Sequence, residues 1–383
     1  MSLIIPLALK SISTVVPPVI LDGTISGLFV DNTTTFIYGS FTEITGITRW
    51  RLAGIDNNGA LTSFFSGKPN PGYQSTAALM KTPSGQNTVL AKYNGSLTQF
   101  DTTDGSVVSA GPAYAGVDLI NDLFVDPYIT NSEVFAAGLF SKIGSTARSG
   151  LAKFKNNLSF DSSWSCNPYP TGTIYSICSA PNFPSHIYVG GSFTSIEGNT
   201  TKRKVARITK TGAGVVDTTF TFSYNTCSTV FSLSPSSNGY IFVAGSSTVN
   251  RPFIKCITSS GTDFLNLSGN IQQPWSNYFS YCSEIKVNEA ENKIYAFVTG
   301  SSAFSGTTVV GYLHRFNYDG TLDTSFNNPN GYISFARFNG TPTCRIDFNN
   351  VDNRISIGGA FDWVSGTNKT NFTILNNNGS IFF

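Results

Sequence analysis

The chain has 383 residues, of which 12% are charged and 13% aromatic, with 36 Gly and 17 Pro. The charged share is about half that of an ordinary globular chain, which excludes long helices with Lys/Glu-laced wet faces. A formal net charge of +2 leaves no electrostatic footprint for nucleic acid. Thr, Val, Ile, Phe and Tyr recur in short runs broken by Gly, Asn, Asp and Pro, a composition rich in strands and turns. Length alone suggests two or three domains. A repeat architecture escapes that limit, because each unit adds its own small core beside the last.

Residues 1–22 stand outside any repeat. The first ten are apolar but lack a basic start and contain Pro6, which makes a poor secretory signal. Pro6, Pro17 and Pro18 oppose a helix and predict an extended arm. Its alternating run, residues 11–16, suits an outer strand that closes the last repeat. The final residues, 380–383, fall where that same strand is due. The arm is therefore expected to dock on a partner through Leu3, Ile4, Ile5, Leu7 and Leu9, which would otherwise face water. No stretch approaches the length of an apolar membrane-spanning helix.

From residue 23 one pattern recurs. Ile187-Tyr188-Val189-Gly190-Gly191-Ser192-Phe193-Thr194 is its fullest anchor. Copies begin at Ile37, Val134 and Ile355, degenerate ones at Ile241 and Ile294, and a weak one at Thr88, around Leu90. The spacing of about 45 to 60 residues is that of propeller blades. In the copy at 172–220, residues 173–178 predict a first strand, 186–193 a second, 204–208 a third and 215–220 a short outer strand. A later motif is fullest at Tyr318-Asp319-Gly320-Thr321-Leu322-Asp323-Thr324-Ser325-Phe326, where Asp-Gly supplies the left-handed residue of a tight turn. Trp164 stands at the Phe position of this motif and is expected in the core. The Gly pair of the second strand is expected to let adjacent blades approach, with the next Phe filling the gap. The expected fold is all-β: a single β-propeller over 23–383 of about seven four-stranded blades, six being the alternative, preceded by an extended N-terminal arm over 1–22.

The order I-Y-x-G-G-x-F-T, then R-x-L-A-R-[LI], then D-G-x-L-D-T-S-F resembles the delta-60 type β-propeller repeat. The match is best at 187–220 and 312–326, with Thr48-Arg49-Trp50-Arg51-Leu52-Ala53-Gly54-Ile55 as a third-strand copy. It extends over nearly the whole chain after the arm. That family occurs in bacterial surface proteins and in bacteriophage-encoded proteins. The resemblance implies a propeller with an adhesive or scaffold role and carries over no catalytic residue.

Candidates for chemistry are few. Cys166, Cys178, Cys227, Cys256, Cys282 and Cys344 form no C-x-x-C, so they are expected as free thiols, several of them buried, and not as metal ligands. His186 and His314, the two histidines, fall in different blades as strand residues; no G-x-S-x-G accompanies them. Lys202-Arg203-Lys204 is expected as a solvated hairpin loop. Glycoside chemistry on a propeller needs two carboxylates across the central pocket. Asp118, Asp122, Glu284 and Asp347 fall on or near inner strands and are the candidates for such a pair, with solvated channel-lining residues as the plainer expectation. Aromatic rings grip sugars and protein partners. The candidates are Trp50, Trp363 and the loop bearing Trp275, Tyr278 and Phe279. The expected function is non-enzymatic, without cofactor or metal: a bacteriophage virion component such as a tail, fibre-associated or capsid-decorating protein within a larger assembly. Its expected partners are other virion or surface proteins and a host surface glycan, with neither nucleic acid nor membrane among them. The alternatives are a carbohydrate-active propeller enzyme and a secreted, cell-surface bacterial adhesin.

Overall fold

The computed structural model describes residues 19–382 except 32, 70–79, 82–87, 116–118, 127–132, 167–169, 197, 250, 271–280, 301–307, 328–330 and 339–342. Short runs rich in β-branched and aromatic residues, separated by Gly, Asn and Asp turns, form antiparallel groups. In the first, Ile25–Asp31 pairs with Thr34–Gly39, which pairs with Leu52–Asp56. The fourth group repeats this order with Ile174–Cys178, His186–Gly191 and Val205–Thr209. The last repeats it with Thr343–Asn349, Arg354–Ala360 and Phe372–Asn376. The weak copy is a group as well, with Thr88–Tyr93 between Met80–Lys81 and Ser96–Asp101. Seven such groups can be followed among the described residues.

Each inner strand lies beside the inner strands before and after it, and Thr343–Asn349 lies beside Ile25–Asp31. Middle strands send alternate side chains to opposite faces. Ile187 and Val189 therefore join a core with Phe124, Phe135 and Trp164 of the preceding group. Tyr188 joins Val230, Val243 and Phe253 of the following one. The alternation runs on until Phe372 and Ile374 pack with Ile25 and Ile37. Sheets radiating from a closed ring of inner strands make an all-β propeller.

The outer position differs from the short strand expected over 215–220. In the first, third, fourth and last groups it shrinks to one bridged pair, such as Ile208 with Val216, while the sixth keeps an outer strand, Tyr332–Phe338. In the third, fourth and sixth groups the Asp of the late motif makes a local turn after the bridged pair. Asp217 Oδ1 accepts the Thr219 backbone N–H at 2.8 Å, and Asp323 Oδ1 accepts that of Ser325 at 3.0 Å. This local turn competes with the ladder. It directs Phe220 and Phe326 into the cores, where both are fully buried. Trp164 fills the same place, its Nε1 donating to Thr209 O at 2.9 Å. Lys202 does not lie in a solvated loop: it is buried, and its Nζ donates to the carbonyls of Thr218 and Phe220. A turn that leaves the ladder strands those carbonyls, and the lysine satisfies them. Arg148 does the same at Ser162 O.

At the ends, Leu375 bridges Ile381, so residues 380–382 supply the outer position of their own blade. Val19 and Leu21 are buried in the first core with Ile44. Leu3, Ile4, Ile5, Leu7 and Leu9 lie outside the described residues.

The glycine pair serves two separate clearances. A Cβ on Gly190 would meet Val230 Cγ1 at 2.6 Å, which is the blade-to-blade approach expected. A Cβ on Gly191 would meet the Thr173 carbonyl oxygen at 2.2 Å, within its own blade. Opposite this pair the register slips between Ile174 and Ser176, a β-bulge. Gly191→Ala should cost about 1–3 kcal/mol, because the obstacle is backbone and cannot swing aside. Gly212 has a φ of +64° and open space around a Cβ, so Gly212→Ala should cost only about 1 kcal/mol. Urea denaturation of both variants checks this; equal losses would contradict the close approach.

Candidate functional site

A belt of side chains on the inner strands ties the third blade to the fourth and so on to the last, and the last to the first. Asp122 Oδ2 accepts from Ile177 N at 2.9 Å and from Ser176 Oγ at 3.1 Å. Ser176 Oγ in turn accepts from Leu233 N at 3.1 Å. Ser232 and Ser234 accept from Ile285 N and Val287 N at 3.2 and 3.0 Å. Glu284 Oε2 lies 2.8 Å from Arg345 Nη1, and Lys286 Nζ lies 3.4 Å from Asp347 Oδ1. Asp347 Oδ2 then accepts from Val30 N at 2.8 Å, and Arg345 Nε donates to Ser26 O at 3.1 Å. The belt thus returns from the last blade to the first. Asp122, Glu284 and Asp347 do lie on inner strands. They are latches between blades rather than freely solvated groups, because the narrow axis brings each within bonding reach of its neighbour. Asp118 lies outside the described residues.

The same strands carry bulges, and the bulges aim side chains inward. The register slips around Ser26, Asn121, Tyr175, Phe231 and Ser283. A bulge residue leaves the two-sided alternation and can be re-aimed. All five line one cavity of about 360 Å³ at the channel. Tyr281 and Arg345 are also part of its wall, with Thr24, Ile25, Thr343 and Cys344. Tyr175 and Phe231 have ring centroids 5.4 Å apart, and Phe231 and Tyr281 5.3 Å, so three blades contribute one aromatic arc. Ser26, Asn121 and Ser283 make the polar part. Asn121 Nδ2 donates to Ile174 O at 2.7 Å. The Ser283 hydroxyl is buried and has no partner among them.

Burial pushes the Asp122 carboxyl up to about 6, with the Ile177 N–H and Arg345 opposing the rise and Glu284 adding to it. Burial also raises Glu284, against the pull of Arg345 and Lys286. Asp217, at the blade rim, goes the other way. Burial alone would raise it, but hydrogen bonds from Thr219 and the Arg207 guanidinium outweigh that and hold it at about 2. The two windows therefore separate. Asp122 binds its proton more tightly when folded, so its cost is absent below the ordinary 3.8 and fully present above about 6. Asp217 contributes stability above 3.8 that is lost as the pH falls toward 2. Asp122→Asn should flatten the decline in stability between about pH 4.5 and 7, and urea midpoints at the two values measure it. An unchanged slope would remove Asp122 as its source.

The remaining candidates disperse. Trp275, Tyr278 and Phe279 lie outside the described residues. Trp363 is half-buried beside Val310 and Ala336 at a second cavity of about 370 Å³, and Trp50 is half-buried in the first blade. Ser185, His186 and Asp217 do line up, with Ser185 Oγ 2.9 Å from Nδ1 and Asp217 Oδ2 3.5 Å from Nε2. Yet Asp217 Oδ2 is already held by Arg207 Nε and Nη2 at 2.9 and 2.7 Å. Burial and Arg207 hold His186 below the ordinary imidazole range. His314 is fully buried against Phe316 and Tyr332. All six cysteines are free and buried. Burial pushes Cys227 and Cys256 up to about 12. Ellman's reagent should therefore find no fast thiol in the native chain and all six after unfolding in guanidinium; a fast native thiol would contradict the packing.

Residues 186–220 and 292–326 match the family model described as "Domain of unknown function (DUF5122) beta-propeller". The chain carries β-propeller repeats. The first match runs from the second strand of the fourth blade to Phe220, and the second from that of the sixth blade to Phe326. Comparison with curated proteins gives no match. Among solved structures, a putative TolB from Agrobacterium tumefaciens shares 10% identity over 68% of this chain and 89% of its own, with a TM-score of 0.41. An ancestral GH74 enzyme shares 12% identity over 94% of this chain, with a TM-score of 0.48. This chain spans 50% of that enzyme's length.

Proposed function

We propose that the chain is a non-enzymatic structural or binding module with repeats of the delta-60 type. In this role it is a bacteriophage virion component, in the tail, near a fibre or on the capsid, attached through its N-terminal arm. The observation that carries the proposal is the belt. Asp122, Glu284 and Asp347 each bond to the blade beside them, which spends on ring closure the carboxylates that acid–base chemistry would need. A ring held this way is a rigid platform, and rigidity favours display of a binding surface.

The test has two parts. Purified chain incubated with bacterial surface polysaccharides should release no new reducing ends; release would end the non-enzymatic claim. Particles purified from the producing culture should contain the chain by mass spectrometry. A chain lacking residues 1–18 keeps Val19 and Leu21 in the first core, so it should fold and yet remain in the supernatant. Absence of the full chain from purified particles, or unchanged incorporation of the shortened one, would overturn the virion placement or the arm's role respectively.

A further inference from the structure

We infer that the channel cavity is a binding site for a neutral pyranose sugar, stacked on Tyr175, Phe231 and Tyr281 and hydrogen-bonded by Ser26, Asn121 and Ser283. The inference deepens the reading of the chain as a binding module and rests on it.

Three observations converge. The first is construction. In five different blades the extra residue of an inner-strand bulge falls on one cavity wall. Bulges cluster where a strand must re-aim a side chain toward a site, and sheet strands hold such side chains more firmly than loops do. The repeat supplies the frame, while the bulge positions differ in chemistry from blade to blade.

The second is division of the wall. One arc is aromatic, and the rest presents hydroxyl and amide groups. Small-molecule sites combine apolar and aromatic lining with a few placed polar groups, and a pyranose offers the complement, with a C–H face for the rings and hydroxyls around its rim. A volume of about 360 Å³ sits at the small end of the usual range for such sites. The Ser283 hydroxyl, buried and without a partner among the described residues, is a polar group a ligand would satisfy.

The third is charge. Arg345 reaches the cavity but is paired with Glu284 at 2.8 Å, and Lys286 is paired with Asp347. An anion would have to compete with Glu284 for Arg345, and a cation with Arg345 for Glu284. A neutral ligand disturbs neither pair.

Saturation-transfer difference NMR on the full chain tests this, with methyl β-D-glucopyranoside, methyl β-D-galactopyranoside and N-acetylglucosamine as probes. At least one should receive saturation on its ring protons. Phe231→Ala and Tyr175→Ala should each weaken binding about tenfold or more, the loss expected for a stacking anchor. Trp363→Ala, at the second cavity, should leave it unchanged. Far-UV circular dichroism confirms that the variants fold; where an aromatic variant does not, Ser283→Ala and Asn121→Ser read the same wall and should weaken binding several-fold. Lack of transfer to all three sugars would overturn the site, and so would binding that survives every variant of this wall. Either result would leave the platform standing. Release of reducing ends from a bound oligosaccharide would leave the site standing and end the non-enzymatic reading.

Discussion

The packing of the last blade on the first is the contact on which the whole structure depends. A Cβ on Gly358 would meet Ile25 and Leu28 at 2.8 to 3.0 Å, so the seventh middle strand sits directly on the first inner strand. Short sheets of three or four strands are marginal alone. Here each buries both faces, one against each neighbour, and the series has no exposed terminal face because it ends on its own beginning. The join is made by side chains: Asp347 to Val30 N, Arg345 to Ser26 O, and Thr35 Oγ1 to Ser356 Oγ at 2.8 Å. Among the described residues no strand crosses from one end of the chain to the blade at the other, and residues 380–382 complete their own blade.

Closing the ring concentrates polar groups at the axis. Inner strands converge there, and a charge without a partner would be costly at the half-buried wall. Pairing each carboxylate with the next blade answers both demands, since it satisfies the charge and fixes the angle between sheets. The rim solves the opposite problem. There Asp217 and Asp323 make local turns, engage Arg207 and Arg315 at 2.7 to 2.9 Å, and send an aromatic ring into the core. One repeat thus uses its acids inward to bind neighbours and outward to end strands, and the cavity at the channel is left to residues that do neither.

Much of this was legible beforehand, for reasons tied to particular residues. Trp164 reads as core because it occupies the Phe place in a motif that recurs, and recurrence marks a position by its role. Asp122, Glu284 and Asp347 read as channel candidates because they fall on or near the strands expected to be innermost. What they bond to was not legible, because each partner belongs to another blade, 55 residues away for Asp122, 61 for Glu284 and 317 for Asp347. Tyr175, Phe231, Ser26 and Asn121 escaped notice for a different reason. Simple alternation assigns each to a face of its sheet, and the bulge cancels that assignment. The glycine pair was the available signal: the second glycine yields to the carbonyl of a strand that has slipped. Clearance between blades, the role its sequence suggests, holds only for the first glycine.

The amino-acid sequence by itself determined the repeat, the alternation that loads both faces of every sheet, and the turns that end each blade. These follow from local chemistry: strand propensity, the two-residue period, and Asp, Asn and Gly at positions that need them. Only the tertiary structure decided which side chains meet at the axis. Ring closure brings inner strands from distant parts of the chain to within bonding distance, and the bulges then select the residues that face the cavity. Neither event is local, so the belt of latches and the aromatic arc exist only once the ring is closed.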